Sequence, residues 1–292
     1  MVSLVAYPYS YNSMYSGILE LFVWEGEYVA ILSRQSDLDQ VAVNKMLKAF
    51  DSAYLFYLDR TGKKPLTSEH VNQKLPIADV PFTCDNPYAA ACGHIGAFGI
   101  ELRHDTFDAL YMGVITKDEV DQTVFYELGR NFWFYDEQYD GDPVARGFAI
   151  FMRFVAMEFL DVKGAVINGH SFEQFKSAIE GLAAMYIATD YLYWENLVAE
   201  NRRVPNDFNL DQNDLFASFC FELHRRYPQF INNVWKETQL LKKALSTQDV
   251  IDNFFLASCN ATRTNLTVTF ENWRWKISDV ALAQVSYYMA EE

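Results

Sequence analysis

The chain is short of positive charge. Lysine and arginine number 24 against 39 aspartates and glutamates, a formal charge of 24 − 39 = −15. So acidic a surface repels phosphate backbones and anionic headgroups, which argues against nucleic acid and membrane surfaces as partners. A single basic pocket inside an acidic body remains compatible with it. No stretch supplies the roughly 18 uninterrupted apolar residues that a membrane-spanning helix needs. The first ten residues, MVSLVAYPYS, place no basic segment ahead of an apolar run, so no secretory signal is expected. Cys84, Cys92, Cys220 and Cys259 form no CxxC pair, and free thiols in a reducing cytoplasm are the expectation. On that view the sequons Asn260-Ala-Thr262 and Asn265-Leu-Thr267 carry no glycan. His70, His94, His104, His170 and His224 show no ligand spacing. Phosphate loops, dinucleotide fingerprints and Gly-x-Ser-x-Gly elbows are absent, as are repeats and low-complexity linkers.

Of the 292 residues half are apolar and 16% aromatic, enough for one large core or two lobes. Residues 19–32 read as two strands around a turn at Glu25-Gly26. Residues 37–58 carry helical spacing through Leu38, Val41, Met46, Phe50 and Tyr54, with Asp37 as the cap. Residues 92–102 read as one strand, in which Gly93, Gly96 and Gly99 let another backbone approach closely. Helices are expected over 117–135, from Asp142-Pro143 to about 160, and over 171–194, 211–227 and 247–261. The order predicts an α+β fold with a mixed α/β N-terminal lobe over 1–116 and a helical lobe over 117–292, one compact unit with a shared cleft.

The most informative stretch is Thr123-Val-Phe-Tyr126-Glu127-Leu-Gly-Arg130-Asn-Phe-Trp133. In a zinc peptidase, His-Glu-x-x-His on a helix sets two imidazoles on one face and a general base beside the metal-bound water. Here that frame holds Tyr126-Glu127-Leu128-Gly129-Arg130. With the glycine-punctuated strand before it, Arg146-Gly-Phe-Ala149 after it, and Asp252-Asn-Phe-Phe-Leu-Ala257, Asn265-Leu-Thr267 and Phe270-Glu-Asn-Trp-Arg-Trp275 at the end, the chain resembles the gluzincin metallopeptidases, in particular the basic-secretory-protein-like group. The resemblance runs over residues 37–280 and implies a zincin-like fold. It also implies that Tyr126, Arg130 and Arg146 stand where His, His and a third-ligand Glu belong. Arginine is a permanent cation and cannot ligate zinc, so no metal and no other cofactor is expected.

Two readings of the altered site follow. In the first, Arg130 and Arg146 converge on the former metal position and bind a small anion or a peptide carboxylate. Tyr126 and Glu127 would then serve as catalytic groups if metal-independent acid/base chemistry is retained. In the second, Glu127 merely pairs with Arg130 or Arg146 inside an apolar helix, and Arg146, opposite the apolar stripe of its own helix, faces solvent. His94 and His104 flank the glycine strand and are candidates for binding substrate in the cleft; Glu101 and Asp105 lie near it. The aromatic runs at Trp133–Tyr135 and Tyr191–Trp194 read as core, and the acidic residues 136–142 as a solvated loop. The function expected is a repurposed, metal-free protein for an anionic small molecule. Alternatives are a non-catalytic pseudopeptidase holding a polypeptide, or a live peptidase with displaced ligands such as His94 or His104.

Overall fold

The computed structural model describes residues 5–66, 71–93 and 99–290, with side chains to residue 285. The chain divides into two compact units. The first comprises residues 1–58, 63–133 and 152–172; the second comprises 59–62, 134–151 and 173–292.

The first unit is built on a six-stranded mixed sheet. Strands β1 (Tyr7–Ser13), β2 (Gly17–Glu25), β3 (Val29–Ser33), β4 (Leu75–Val80), β5 (Ala91–Gly93) and β6 (Ile100–Arg103) lie in the order β1-β2-β3-β4-β6-β5. β3, β4 and β6 run parallel; β1–β2, β2–β3 and β5–β6 are antiparallel. β3 (VAILS) and β4 (LPIADV) are buried at every position, as the central parallel strands of a sheet covered on both faces should be. β1 alternates exposed with covered residues and closes one edge. Strand β5, only three residues long, forms the other. The expected single strand over 92–102 is thus an antiparallel pair, with Gly93 opposite Ile100; Gly96 lies outside the described residues.

Helix α1 (Gln40–Thr61) is capped by Asp39 rather than Asp37: the Ala42 amide donates to Asp39 Oδ1 at 2.9 Å. The helix expected over 117–135 is interrupted. Its first residue ends α2 (His104–Lys117), and Asp118 then adopts a left-handed conformation that stops the helix. Val120 next donates to Lys163 O at 2.9 Å before α3 (Thr123–Asn131) begins. Tyr57 of α1, fully buried, donates its hydroxyl to Phe125 O of α3 at 2.7 Å.

One expectation fails on chemistry. Cys84 and Cys92 are joined by a disulfide, while Cys220 and Cys259 are free and buried. The bond ties the segment after β4 to edge strand β5. Disulfides persist in oxidising surroundings, so the cysteines no longer argue for a reducing cytoplasm.

The second unit is helical. The acidic segment read as a loop contains a short helix, α4 (Asp136–Tyr139). α5 (Val144–Phe159) starts in this unit, followed by α6 (Phe172–Ile187), α7 (Trp194–Ala199), α8 (Gln212–Arg226) and α9 (Phe230–Thr238). α10 (Thr247–Thr262), α11 (Thr267–Asn272) and α12 (Asp279–Ala290) complete it. Asp211 caps α8 and Ser246 caps α10 through the amides of Asn213 and Asp249. Trp194 and Trp275 stack at 4.4 Å between centroids, with Phe219 and Phe254 around them; such ring pairs add about 0.5–1.5 kcal/mol beyond area burial. The C-terminal Trp273-Arg-Trp275 is therefore core of the second unit, without strand pairing.

Candidate functional site

Helix α3 lies against the β5 edge of the sheet, and Gly93 makes the approach possible. The Gly93 amide donates to Glu127 Oε2 at 2.6 Å. A Cβ at Gly93 would stand 2.5 Å from Glu127 O and 2.7 Å from Oε2, so no larger residue fits. Four residues along α3, Asn131 makes a reciprocal pair with the Gly99 backbone: Gly99 N donates to Oδ1 and Asn131 Nδ2 donates to Gly99 O, both at 3.1 Å. Gly99 has φ +108, a conformation that L side chains rarely adopt. One face of α3 is thereby pinned to the sheet at positions i and i+4.

Glu127 is 8% exposed. Burial pushes its carboxyl up from 4.5 to about 7, opposed by the Gly93 amide and by the positive charges of Arg130 and Arg153. Arg153 reaches α3 from α5. Its Nη1 donates to Gln122 Oε1 at 2.5 Å, and its guanidinium lies 5.5 Å from the Tyr126 ring centroid and 4.5 Å from that of Phe154. The structure thus groups Tyr126, Glu127, Arg130 and Arg153 in the first unit. A buried acid near neutrality flanked by two guanidiniums can hold or release a proton at physiological pH.

The other residues singled out in the sequence fall elsewhere. Arg146 belongs to the second unit, where its Nε lies 2.9 Å from Asp142 Oδ2 in an ion pair and its side chain is half exposed. Arg153, seven residues on, was not anticipated. The two share a helical face by spacing, so periodicity alone does not choose between them. His104 Nδ1 lies 2.6 Å from Asp79 Oδ1 at the end of β4. The fully buried Asp79 also receives Arg34, whose other amino group holds Asp108, and this network staples β3, β4 and α2. Glu101 is buried and accepts from Thr83 Oγ1 at 2.7 Å, Met14 N at 3.0 Å and Tyr11 OH at 3.3 Å. Asp105, held by Arg103 well down the carboxylate range at about 2, is a surface ion pair. His94 lies outside the described residues. Among those described, no group of three His, Cys, Asp or Glu side chains stands together to hold a metal.

No family model matches the chain, and no curated protein does. Solved structures do. A functionally unknown conserved protein from Bacillus anthracis str. Ames matches 91% of this chain with a TM-score of 0.61 at 13% identity. The M60 catalytic domain of Clostridium perfringens ZmpC, solved in complex with the sialyl T antigen, matches 91% at a TM-score of 0.56 and 14% identity. The catalytic module of the metalloprotease ZmpA from the same organism matches 92% at 0.56 and 11%. The chain spans about half the length of these structures, 51%, 48% and 48% respectively. It has a metallopeptidase-like α+β fold. At such identities the likeness extends to the fold alone, and function must be argued from the site. Among the described residues no helix is long and apolar enough to cross a membrane.

Proposed function

We propose that this protein keeps the metallopeptidase-like fold without the peptidase's metal chemistry and binds an anionic small molecule, a carboxylate or phosphate, beside Glu127. In the His-Glu-x-x-His frame of such enzymes the chain carries Tyr126-Glu127-Leu128-Gly129-Arg130. A phenol and a guanidinium replace the two imidazoles, and this donor set does not fit zinc. What takes the place of a divalent cation is the pair Arg130 and Arg153, the latter filling the role first expected of Arg146.

The observation that carries the reading is the electrostatic setting of Glu127, a buried carboxyl near neutrality with two arginine charges acting on it. With Glu127 ionised the three side chains sum to +1; protonated, they sum to +2. Guanidinium forks match carboxylate and phosphate oxygens. Affinity for an oxyanion therefore strengthens as pH falls through about 7.

Glu127 is 8% exposed and its Oε2 already accepts from the Gly93 amide, so binding is the better-supported role and no reaction is assigned. A second reading, a pseudopeptidase holding an extended polypeptide, is favoured by the edge position of β5. Against it, Glu127 already occupies the Gly93 amide on that strand.

The test is a thermal-shift screen of purified protein against zinc, chelator, phosphate and small carboxylic acids, with metal content measured on the same sample. Stabilisation by one class of anion, without stoichiometric metal or a chelator effect, supports the proposal. Zinc that is lost to chelator together with stability overturns it.

A further inference from the structure

The sequon Asn265-Leu-Thr267 spans the link between α10 and α11 in the second unit. Its middle residue, Leu266, is 1% exposed, and the Leu266 amide donates to Cys259 Sγ at 3.4 Å. The link is thus anchored from inside, while Asn265 itself is exposed. Asn265 Oδ1 accepts twice from Thr267, from the amide at 3.0 Å and from Oγ1 at 2.6 Å. Both donors act on the oxygen, so the carboxamide is held in one orientation with Nδ2 turned away from Thr267. Nδ2 donates to no described residue.

Asn260-Ala-Thr262 has the same sequence pattern and none of this geometry. It belongs to α10, where Asn260 Nδ2 donates to Glu237 Oε2 of α9 at 3.3 Å. Thr262 is 3% exposed and donates its hydroxyl to Ser258 O at 2.8 Å.

A second, independent observation bears on the compartment. The silence expected of both sequons rested on four free thiols, and two of these are joined as Cys84–Cys92. Disulfides persist in the oxidising route in which asparagine-linked glycans are attached.

We propose that Asn265 is an N-glycosylation site and that Asn260 is not. The co-reactant is a polyprenyl-diphosphate-linked oligosaccharide. The bond from sugar C1 to the diphosphate oxygen breaks, and its electron pair leaves with the polyprenyl diphosphate. A bond from Asn265 Nδ2 to C1 forms, and Nδ2 gives up one proton to the leaving diphosphate; nothing is oxidised or reduced. Whether the sugar arrives before or after folding, the folded chain has to carry it. At Asn265 it projects outward with both Thr267 bonds to Oδ1 kept, whereas at Asn260 it displaces Glu237. The glycan is bulky and polar, and its attachment makes this face of the second unit a solvent face. The site shares no residue with that proposed at Glu127, and the two stand or fall separately.

The test is peptide mass spectrometry on the full chain purified from the organism that makes it. Release of glycans by a peptide-N-glycosidase in heavy-oxygen water turns each glycosylated asparagine into labelled aspartate. The label is expected at position 265, with Asn260 unmodified. With the full chain routed through the secretory pathway of a eukaryotic cell, Asn265→Gln and Thr267→Ala should lose the glycan. Thr267→Ser, which keeps the hydroxyl, should retain it, and Asn260→Gln should make no difference. An unlabelled Asn265, a label at Asn260, or a glycan that persists in Thr267→Ala overturns the proposal.

Discussion

The Gly93 amide donates to Glu127 Oε2 at 2.6 Å and thereby joins the edge strand of the sheet to helix α3. The resemblance read in the sequence sets Glu127 against the glutamate of a His-Glu-x-x-His motif, which faces a metal-bound water. Here its carboxyl is buried, bonded to backbone and surrounded by arginine charge. The same contact is structural and electrostatic at once, and the predictions follow from its two sides.

Adding a methyl group at Gly93 forces Glu127 or β5 to move. Gly93→Ala should cost about 1–3 kcal/mol in urea unfolding. Gly181→Ala, in α6 with open space around its Cβ, should instead be stabilising by about 0.5–1 kcal/mol. Equal effects at the two positions would contradict the close approach.

Glu127 links stability to pH. Its carboxyl binds a proton more tightly in the folded chain, at about 7, than at its ordinary value of 4.5. Protonation therefore favours folding. The contribution is complete below about 4.5 and is lost as pH rises through about 7. Its size is about 3 kcal/mol at 1.4 per pKa unit. Glu127→Gln should flatten the pH dependence of urea midpoints across this window and exceed wild-type stability at pH about 8.

The arginines act on that carboxyl unequally, Arg130 more strongly than Arg153. Removing either cation should drive the Glu127 midpoint further above about 7, with Arg130→Met shifting it more than Arg153→Met. Titration of the glutamate side-chain carbon by NMR reads this directly. A midpoint unmoved in both variants would mean that neither charge reaches Glu127.

The disulfide is checked by counting thiols. Denatured, unreduced protein should take two alkyl groups, at Cys220 and Cys259, and reduced protein four. Opening the Cys84–Cys92 bond, which spans eight residues, should cost about 2–3 kcal/mol. Four labels without reductant would restore the reducing-compartment expectation.

Much of this site is legible in the sequence, for physical reasons. Gly93 and Gly99 announce close backbone approaches that only glycine admits, to Glu127 of α3 at the first and to Pro76 of β4 at the second. The helical α3 around Glu127 follows from its apolar residues. What was not legible depends on tertiary placement. Arg146 and Arg153 are seven residues apart on one helix, and only packing tells which guanidinium meets Tyr126. The Cys84–Cys92 bond lacks any spacing motif; its 5.5 Å Cα separation arises from the turn that leads into β5. The break between α2 and α3 rests on Asp118 turning left-handed and on Val120 bonding to Lys163, a partner 43 residues away that no local pattern reveals.

The central claim, the proposed oxyanion site beside Glu127 on α3, is tested most directly by calorimetric titration of phosphate and small carboxylates at pH about 6 and about 8, on either side of the Glu127 midpoint. Wild-type protein should bind one anion class more tightly at the lower pH, and Arg130→Met should lose most of that affinity. Binding that is absent at both pH values, or unchanged in Arg130→Met, would contradict the account.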